Sequence, residues 1–222
     1  MFSSAIEDYL KVMYTLQAKE GKLTTSSLAR QMGVAPASVT GMLKKLSVLG
    51  LVSHQRYQGA RLTPRGRQVA LQIIRRHRLA ELWLREVLGL PLDRVHAEAH
   101  NWEHVLSDEV VERLDSLLDH PRQDPHGAPI PTAEGHLPVS HHRPLARLAV
   151  GESAVICEVS DQDAELVRYL AECGLLPQAH VSILAREPFE GPVTLEVDGR
   201  QQVVGSEVTH HVFVHRNLAR RT

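Results

Sequence analysis

The chain has 222 residues, of which 43% are hydrophobic and 23% charged, and its formal net charge is −1. This composition is typical of a globular protein with two or three small domains, and no apolar run approaches the roughly 20 residues that span a bilayer. Cys157 and Cys173 have no CxxC spacing, which argues against a disulfide framework or a zinc ribbon. The amino terminus does not resemble a secretion signal, so we expect a cytoplasmic protein.

The small net charge hides an uneven distribution. Residues 21–80 contain eleven lysines and arginines and no acidic residue, whereas residues 81–222 contain twelve basic and 23 acidic residues. A basic stretch of this length is typical of a surface that faces nucleic-acid phosphates, and the acidic remainder could hold divalent cations. Both stretches are also compatible with solvated faces.

Residues 1–65 predict a winged helix-turn-helix. Apolar residues at helical spacing follow a capping box that begins at Ser4, and Gly33 and Pro36 mark the end of one short helix and the start of the next. Two strands around Gln58 and Gly59 predict the hairpin that forms the wing. The predicted elements are helices over about 4–17, 24–33 and 36–50 and strands over 51–57 and 60–63.

Residues 66–120 predict a helical domain. A long helix begins near Pro64 and continues to about Val87, and two more helices are predicted over about 92–106 and 107–118. Residues 121–144 are rich in Pro, Gly and His without periodicity, which is typical of a linker, and we assign no role to their histidines. These linker histidines are His126, His136, His141 and His142.

Residues 145–217 predict a small SH3-like β-barrel. Short runs of alternating polar and apolar residues recur between turn signals, and one helical segment interrupts them. The predicted strands are 153–159, 181–185, 193–197, 202–204 and 211–214, with a helix over 163–172. The fold class is therefore mainly α with small β parts.

The most informative segment is HAEAHNWEH, residues 96–104. His96, His100, Glu103 and His104 fall on one face of a helix, where three imidazoles and a carboxylate are costly unless something binds them. A borderline or hard divalent ion would do so. The preceding helix offers His77 and Glu81, one turn apart, and the first helix offers Asp8. The alternative is a solvated helix surface.

These motifs resemble the diphtheria toxin repressor and manganese transport regulator family over nearly the whole chain. The resemblance is carried by VAPASVTGMLKKLSVLGLV, LTPRGR, RRHRLAELWL, VHAEAHNWEHVLSDEVVERL and DPHGAPIP. It implies three parts: a winged DNA-binding domain, a helical metal-binding and dimerisation domain, and an SH3-like domain of the FeoA type. It also implies a metal-dependent repressor of metal-uptake or homeostasis genes that binds a near-palindromic operator as a homodimer.

The resemblance further implies two metal sites. The regulatory site would consist of Asp8, His100, Glu103 and His104. The second would consist of His77, Glu81 and His96, completed by Glu158 and Asp161 of the SH3-like domain. A plain structural role for that domain is the alternative.

Three positions at which this chain differs from family members affect which metal ion it is expected to bind. Iron-type members have Met and Cys where this chain has Asp8 and His100, and the manganese-type regulator has Glu in place of Lys11 and His100. A protonated lysine is no ligand, which speaks against a two-metal cluster. Oxygen and nitrogen ligands favour Mn(II), with Fe(II) a close competitor, and other divalent transition metals can substitute in vitro.

The predicted DNA contacts lie on the third helix and the wing. Small residues there permit close approach to bases, while basic and aromatic residues suit phosphates. The predicted contacts are Ala37, Ser38, Thr40, Gly41, Lys44, Lys45, Arg56, Tyr57 and Arg61.

Two rival functions remain open. A metal-dependent enzyme using His96, His100 and Glu103 would need a nucleophile or a general-base pair, and neither accompanies them; nor is the spacing that of an HExxH hydrolase. A winged-helix sensor of an organic effector is the other rival. We expect no enzymatic activity.

Overall fold

The computed structural model describes residues 2–20, 23–55, 59–138 and 142–216. Within these ranges the chain forms seven α-helices and eight β-strands, and it divides into two compact units. The first unit comprises the residues up to Arg76 together with Glu103–Leu106 and Pro131–Leu137. The second comprises His77–Trp102, Ser107–Ile130 and the residues from Pro138 onward.

The first unit contains the helix-turn-helix. Gly33 adopts a left-handed conformation (φ 64°) that ends the first of the two short helices, and Pro36 opens the second. The capping box lies at Thr24, which exchanges hydrogen bonds with Ser27. The first helix begins at Ser4, and its first amides donate to the carbonyl of Ser3. The elements are α1 (Ser4–Glu20), α2 (Thr25–Met32), α3 (Pro36–Val48), β1 (Val52–Gln55), β2 (Gly59–Leu62) and α4 (Pro64–Glu86).

Hydrogen bonds and close backbone packing hold the base of the wing. The amide of Thr63 donates to the carbonyl of Leu51 (3.0 Å), and the Thr63 hydroxyl donates to the carbonyl of Gly50 (2.8 Å). At Gly66 a Cβ atom would lie 2.0 Å from the same Leu51 carbonyl oxygen, so only glycine fits there. The end of α3, the start of β1 and the first turn of α4 therefore meet at one point.

The core of the first unit is formed by apolar faces of α1, α2 and α3. Leu10, Met13, Leu28, Leu43 and Leu46 are all essentially inaccessible to solvent and belong to one cluster. This is the set that helical spacing predicts, and its burial holds α3 with its opposite face outward.

The helices of the second unit include α5 (Leu92–Trp102) and α6 (Asp108–Leu117). Helix α5 is shorter than predicted, because residues 103–105 form a turn instead of continuing to 106. Ser107 caps α6 by accepting from the amide of Val110. The predicted single helix over 92–106 is therefore wrong at its carboxyl end, and that turn is where two of the predicted metal ligands lie.

The first part of the predicted linker is an ordered loop. Asp124 Oδ1 accepts from the amides of His126 (2.8 Å) and Ala128 (3.0 Å), and Gln123 bridges to Pro129. Gly127 has φ +88°, and a Cβ there would lie 2.0 Å from the carbonyl oxygen of Cys157. Proline and glycine here specify a turn rather than a flexible connection.

The carboxyl-terminal part of the second unit is a six-stranded antiparallel sheet with the strand order β3-β8-β4-β5-β6-β7. The predicted strands and helix all form, and the short strand β3 is additional. The elements are β3 (Arg143–Pro144), β4 (Ser153–Val159), α7 (Ala164–Glu172), β5 (His180–Arg186), β6 (Val193–Val197), β7 (Arg200–Val204) and β8 (Val212–Arg216).

None of the helices in the described ranges has the length and apolar character needed to cross a membrane.

Candidate metal centres and DNA-facing surface

The first candidate centre lies within the first unit, where α1 meets the turn that follows α5. His104 Nδ1 lies 2.7 Å from Glu7 Oε2, and His104 Nε2 lies 2.9 Å from Asp8 Oδ1. Both nitrogens of one imidazole therefore face a carboxylate. Ligand atoms of Asp8, Glu103 and His104 lie within 4.8 Å of one another, which is a spacing that one divalent ion could close.

Lys11 is the cation of this centre. Its Nζ lies 2.7 and 2.8 Å from the two carboxylate oxygens of Glu103, a residue whose side chain is fully buried. A buried carboxylate needs a compensating charge, and Lys11 supplies it. His100 lies on α5, four residues before His104 and in the second unit.

The second candidate centre lies within the second unit. His77 and Glu81 come from α4, His96 from α5, and Asp161 follows β4. Glu81 Oε1 lies 3.0 Å from both His77 Nε2 and His96 Nδ1, and His96 Nδ1 lies 3.5 Å from Asp161 Oδ2. Ligand atoms of these four residues lie within 4.8 Å of one another. Helical spacing brings His77 and Glu81 together on α4, and the packing of the fold brings His96 and Asp161 to them.

The pKa shifts in the second centre favour an ionised carboxylate and a protonated histidine. Burial raises the pKa of Glu81, but the charge and hydrogen bond of His77 and the hydrogen bond of His96 outweigh it and lower that pKa. Burial lowers the pKa of His96, but hydrogen bonds with Asp161 and Glu81 outweigh it and raise that pKa to about 10. The proton that His96 carries in the neutral range therefore compensates the negative charge of Glu81.

A group of three buried residues adjoins this centre. Ligand atoms of Glu81, Asp124 and His126 lie within 4.8 Å of one another. Glu81 Oε2, Asp124 Oδ2 and His126 Nδ1 are buried without a hydrogen-bond partner in the described chain, although Arg78 Nε lies 3.4 Å from Asp124 Oδ2. Burial and the charge of Glu81 raise the pKa of Asp124. Buried polar atoms without partners are destabilising, and a cation between them would satisfy them.

Sequence reasoning missed Asp124 and His126 because they lie in the segment whose composition predicts a linker. The available signal was an Asp and a His two residues apart in DPHG, where proline and glycine fix a turn. Glu158, the other predicted ligand from the SH3-like domain, accepts instead from Nδ1 of His142 (3.0 Å).

The outer face of α3 and the wing carry the predicted DNA contacts. Thr40 donates its hydroxyl proton to the carbonyl of Pro36 (3.0 Å), which leaves its methyl group and oxygen lone pairs for a ligand. Gly41 has open space beyond its Cα, and a Cβ atom added there would meet nothing within 4 Å. Arg56 and Tyr57 lie outside the described residues. The predicted contacts that the structure leaves exposed are Ala37, Ser38, Thr40, Gly41, Lys44, Lys45 and Arg61.

Comparisons with known families match nearly the whole length of the chain. The iron dependent repressor N-terminal DNA binding domain matches residues 1–60. The iron dependent repressor metal binding and dimerisation domain matches residues 63–132, and the FeoA domain matches residues 143–216.

Two curated relatives illustrate the similarity. The iron-dependent repressor IdeR of Mycobacterium tuberculosis is 30% identical over 223 residues, which cover 95% of this chain and 96% of the relative. The diphtheria toxin repressor of Corynebacterium glutamicum is 29% identical over 220 residues and 95% of each chain.

Solved structures agree with the curated relatives. A manganese-dependent transcriptional repressor in complex with manganese is 36% identical, with a TM-score of 0.87 over 94% of this chain and 98% of that one. ScaR with bound Zn²⁺ is 35% identical, with a TM-score of 0.80 over 95% and 99% of the two chains. The chain thus belongs to the iron-dependent repressor family and is a metal-dependent, DNA-binding repressor of transcription.

Proposed function

We propose that the physiological corepressor is Mn(II), with Fe(II) as its competitor, and that the repressor controls genes of metal uptake or homeostasis. The donor sets support this assignment because they contain carboxylates and imidazoles but no sulfur. Such donors suit Mn(II) and Fe(II), whereas thiolates and thioethers favour softer ions. The manganese- and iron-dependent repressors among the relatives are consistent with either ion.

The regulatory centre in this proposal consists of Asp8, His100, Glu103 and His104. The observation that carries it is the His104 imidazole, which faces carboxylates of α1 through both nitrogens. A bound ion would supply the positive charge that holds these carboxylates and imidazoles together. Asp8 then ties the first helix of the DNA-binding domain to the segment that follows α5.

The second centre in this proposal consists of His77, Glu81, His96 and Asp161. The orphaned oxygens of Glu81 and Asp124 and the orphaned nitrogen of His126 extend it, and they fit a cation because they are buried and lack hydrogen bonds. Glu158 is not a ligand of this centre in the proposal, since its carboxylate accepts a hydrogen bond from His142.

DNA binding in this proposal uses a homodimer. Two α3 helices would enter successive major grooves of a near-palindromic operator, with Lys44, Lys45 and Arg61 on the phosphates. Arg56 and Tyr57 of the wing complete the proposed contacts. Metal binding restricts the spacing of the two α3 helices and so favours the DNA-competent state, and operator DNA must then tighten metal binding by the same factor. We place this activity in the cytoplasm, with no catalytic reaction and no membrane partner.

The test is an operator-binding titration with Mn(II) and, under anaerobic conditions, with Fe(II). We expect Asp8→Ala to abolish the metal-stimulated gain in DNA affinity, and Glu187→Ala, which changes an exposed acid directly after β5, to retain it. An unchanged metal response in Asp8→Ala would overturn the role of the regulatory centre.

The same titration separates the rival functions. Operator binding that is insensitive to a chelator would indicate a sensor of an organic effector instead. Calorimetry with Mn(II) and no DNA shows whether the ion binds at all, so a failure of metal binding is distinguishable from a failure of DNA recognition.

A further inference from the structure

A cysteine and two histidines gather on the carboxyl-terminal sheet, apart from both centres described above. His142 directly precedes β3, Cys157 lies in β4 and His215 lies in β8. One ligand atom from each lies within 4.8 Å of the others. These strands are neighbours in the order β3-β8-β4, and β3 is the edge strand, so the cluster spans three adjacent strands at one edge of the sheet.

The strand register explains why these side chains meet. Arg143 pairs with Val214, which brings the preceding His142 beside His215. The pairing of β4 with β8 shifts between Ile156 and Glu158, so Cys157 is the extra residue of a β-bulge. A bulge re-aims the side chain it carries. The bulge therefore gives Cys157 a direction that regular pairing would not.

His142 is oriented as a metal ligand usually is. Its Nδ1 lies 3.0 Å from Glu158 Oε2, and its ring packs edge-on against that of His215, with centroids 4.4 Å apart and planes at 87°. A carboxylate that accepts from one imidazole nitrogen leaves the other nitrogen with its lone pair and raises its basicity. Glu158 can play this part for His142.

Cys157 decides which ion is suitable. Its thiol is buried, and its Sγ lies 3.2 Å from the carbonyl oxygen of Phe213. A thiol binds a metal ion as the thiolate, so the ion that binds here must displace the proton from sulfur. Mn(II) binds thiolates weakly, whereas Zn(II) binds them strongly.

We propose that His142, Cys157 and His215 form a separate site for one thiophilic divalent ion, Zn(II) in particular. On binding, the S–H bond of Cys157 breaks, an S–Zn bond forms and the proton leaves to solvent. Bonds of about 2.0–2.3 Å to one ion put ligand atoms roughly 3.3–3.6 Å apart, so small side-chain rotations close the site. A water molecule completes the tetrahedron on the side where His215 is exposed.

The site differs from the two manganese centres in chemistry as well as position. It contains the sulfur that they lack, so its donors favour Zn(II) over Mn(II) more strongly than carboxylate and imidazole alone do. A Zn(II) ion bound here would cross-link the strands β4 and β8 and the residue that precedes β3. The inference does not depend on the identity of the corepressor.

The test uses Co(II) as a spectroscopic substitute for Zn(II) in the full chain, with Mn(II) already present at the other centres. We expect Co(II), titrated to an excess over all three centres, to produce a thiolate-to-metal charge-transfer band in the near ultraviolet, and Zn(II) to abolish this band. Cys157→Ser should abolish the band. Cys173→Ser, which removes the other cysteine of the chain, should retain it.

A second variant tests the site without altering the buried core. His215→Gln changes an exposed side chain and should weaken Co(II) binding at least tenfold while leaving Mn(II)-dependent operator binding unchanged. A band that is absent from the unmodified protein, that survives Cys157→Ser or that disappears in Cys173→Ser would each overturn the proposal.

Discussion

The ammonium nitrogen of Lys11 lies 2.7 and 2.8 Å from the two carboxylate oxygens of Glu103, although the residues are 92 positions apart in the chain. This pair places a fixed positive charge beside the proposed regulatory centre. Any ion that takes Glu103 as a ligand must share its oxygens with Lys11 or displace it. The strength of metal binding and the stability of the metal-free chain are therefore linked through one lysine.

Replacing this lysine with an uncharged residue should have opposite effects on stability and metal affinity. Lys11→Met removes the ammonium group that lies beside both oxygens of the buried Glu103 carboxylate, so we expect the metal-free protein to lose about 3 kcal/mol of unfolding free energy. Mn(II) should bind more tightly because the competing charge is gone. Urea unfolding in the presence of chelator and Mn(II) calorimetry measure the two effects. Lys44→Met, at an exposed site on α3, is the control, and weaker Mn(II) binding in Lys11→Met would contradict the prediction.

A methyl group on the outer face of α3 should separate stability from DNA binding. Gly41→Ala replaces a helix-interior glycine with open space around it, so we expect a gain of about 1 kcal/mol in unfolding free energy. The same methyl group would push DNA away, so operator affinity should fall. Thermal unfolding and a DNA titration test both effects. Ser47→Ala, later on the same helix, should leave DNA affinity unchanged, and full affinity in Gly41→Ala would show that this position does not approach the bases.

Metal binding at the second centre should tighten as pH rises. The pKa of His96 is raised to about 10, so a metal ion must displace a proton from it throughout the neutral range. Affinity should increase up to about tenfold per pH unit between about pH 7 and pH 9. Calorimetry on Asp8→Ala, in which the regulatory centre is impaired, isolates this effect. An affinity that does not change with pH would contradict it.

The same raised pKa has a consequence for the metal-free fold. Protonated His96 stabilises the folded state fully below its ordinary pKa of 6.5, and this contribution is lost as pH rises towards about 10. Metal-free protein should therefore unfold more easily at alkaline pH, while metal-loaded protein should not show this loss. Thermal unfolding with chelator and with Mn(II) compares the two.

An ion pair at the surface should support the second centre. Arg168 of α7 donates to Asp93 Oδ2 of α5 through two nitrogens (2.8 and 3.0 Å), and this contact lowers the pKa of Asp93. Arg168→Ala should loosen α5 against α7 and weaken metal binding by His96 severalfold. Because the pKa of Asp93 is lowered, the stabilisation in the unmodified chain should be lost as pH falls through that pKa, and high salt should also reduce it. Arg113→Ala, on α6, is the control.

The elements that local pattern determines were predictable, and the long-range contacts were not. The helix-turn-helix follows from Gly33, Pro36 and the apolar spacing of α3, and the barrel strands follow from alternation between turns. The turn after α5 was missed because Glu103 bonds a residue 92 positions away, which no local period encodes. The burial of His126 beside Glu81 and Asp124 was missed because composition describes a loop but not what the loop packs against.

The fastening of Leu51 to Thr63 and Gly66 limits how this repressor can change its preferred DNA sequence. Because the carbonyl of Leu51 accepts from Thr63 and leaves no room for a side chain at position 66, the hairpin cannot tilt independently of α3. In the proposed function, the phosphate contacts of the wing and the base contacts of α3 would thus be made by one rigid part. A new operator preference must arise from exchanged side chains along α3, since re-aiming the hairpin would break the junction on which both depend.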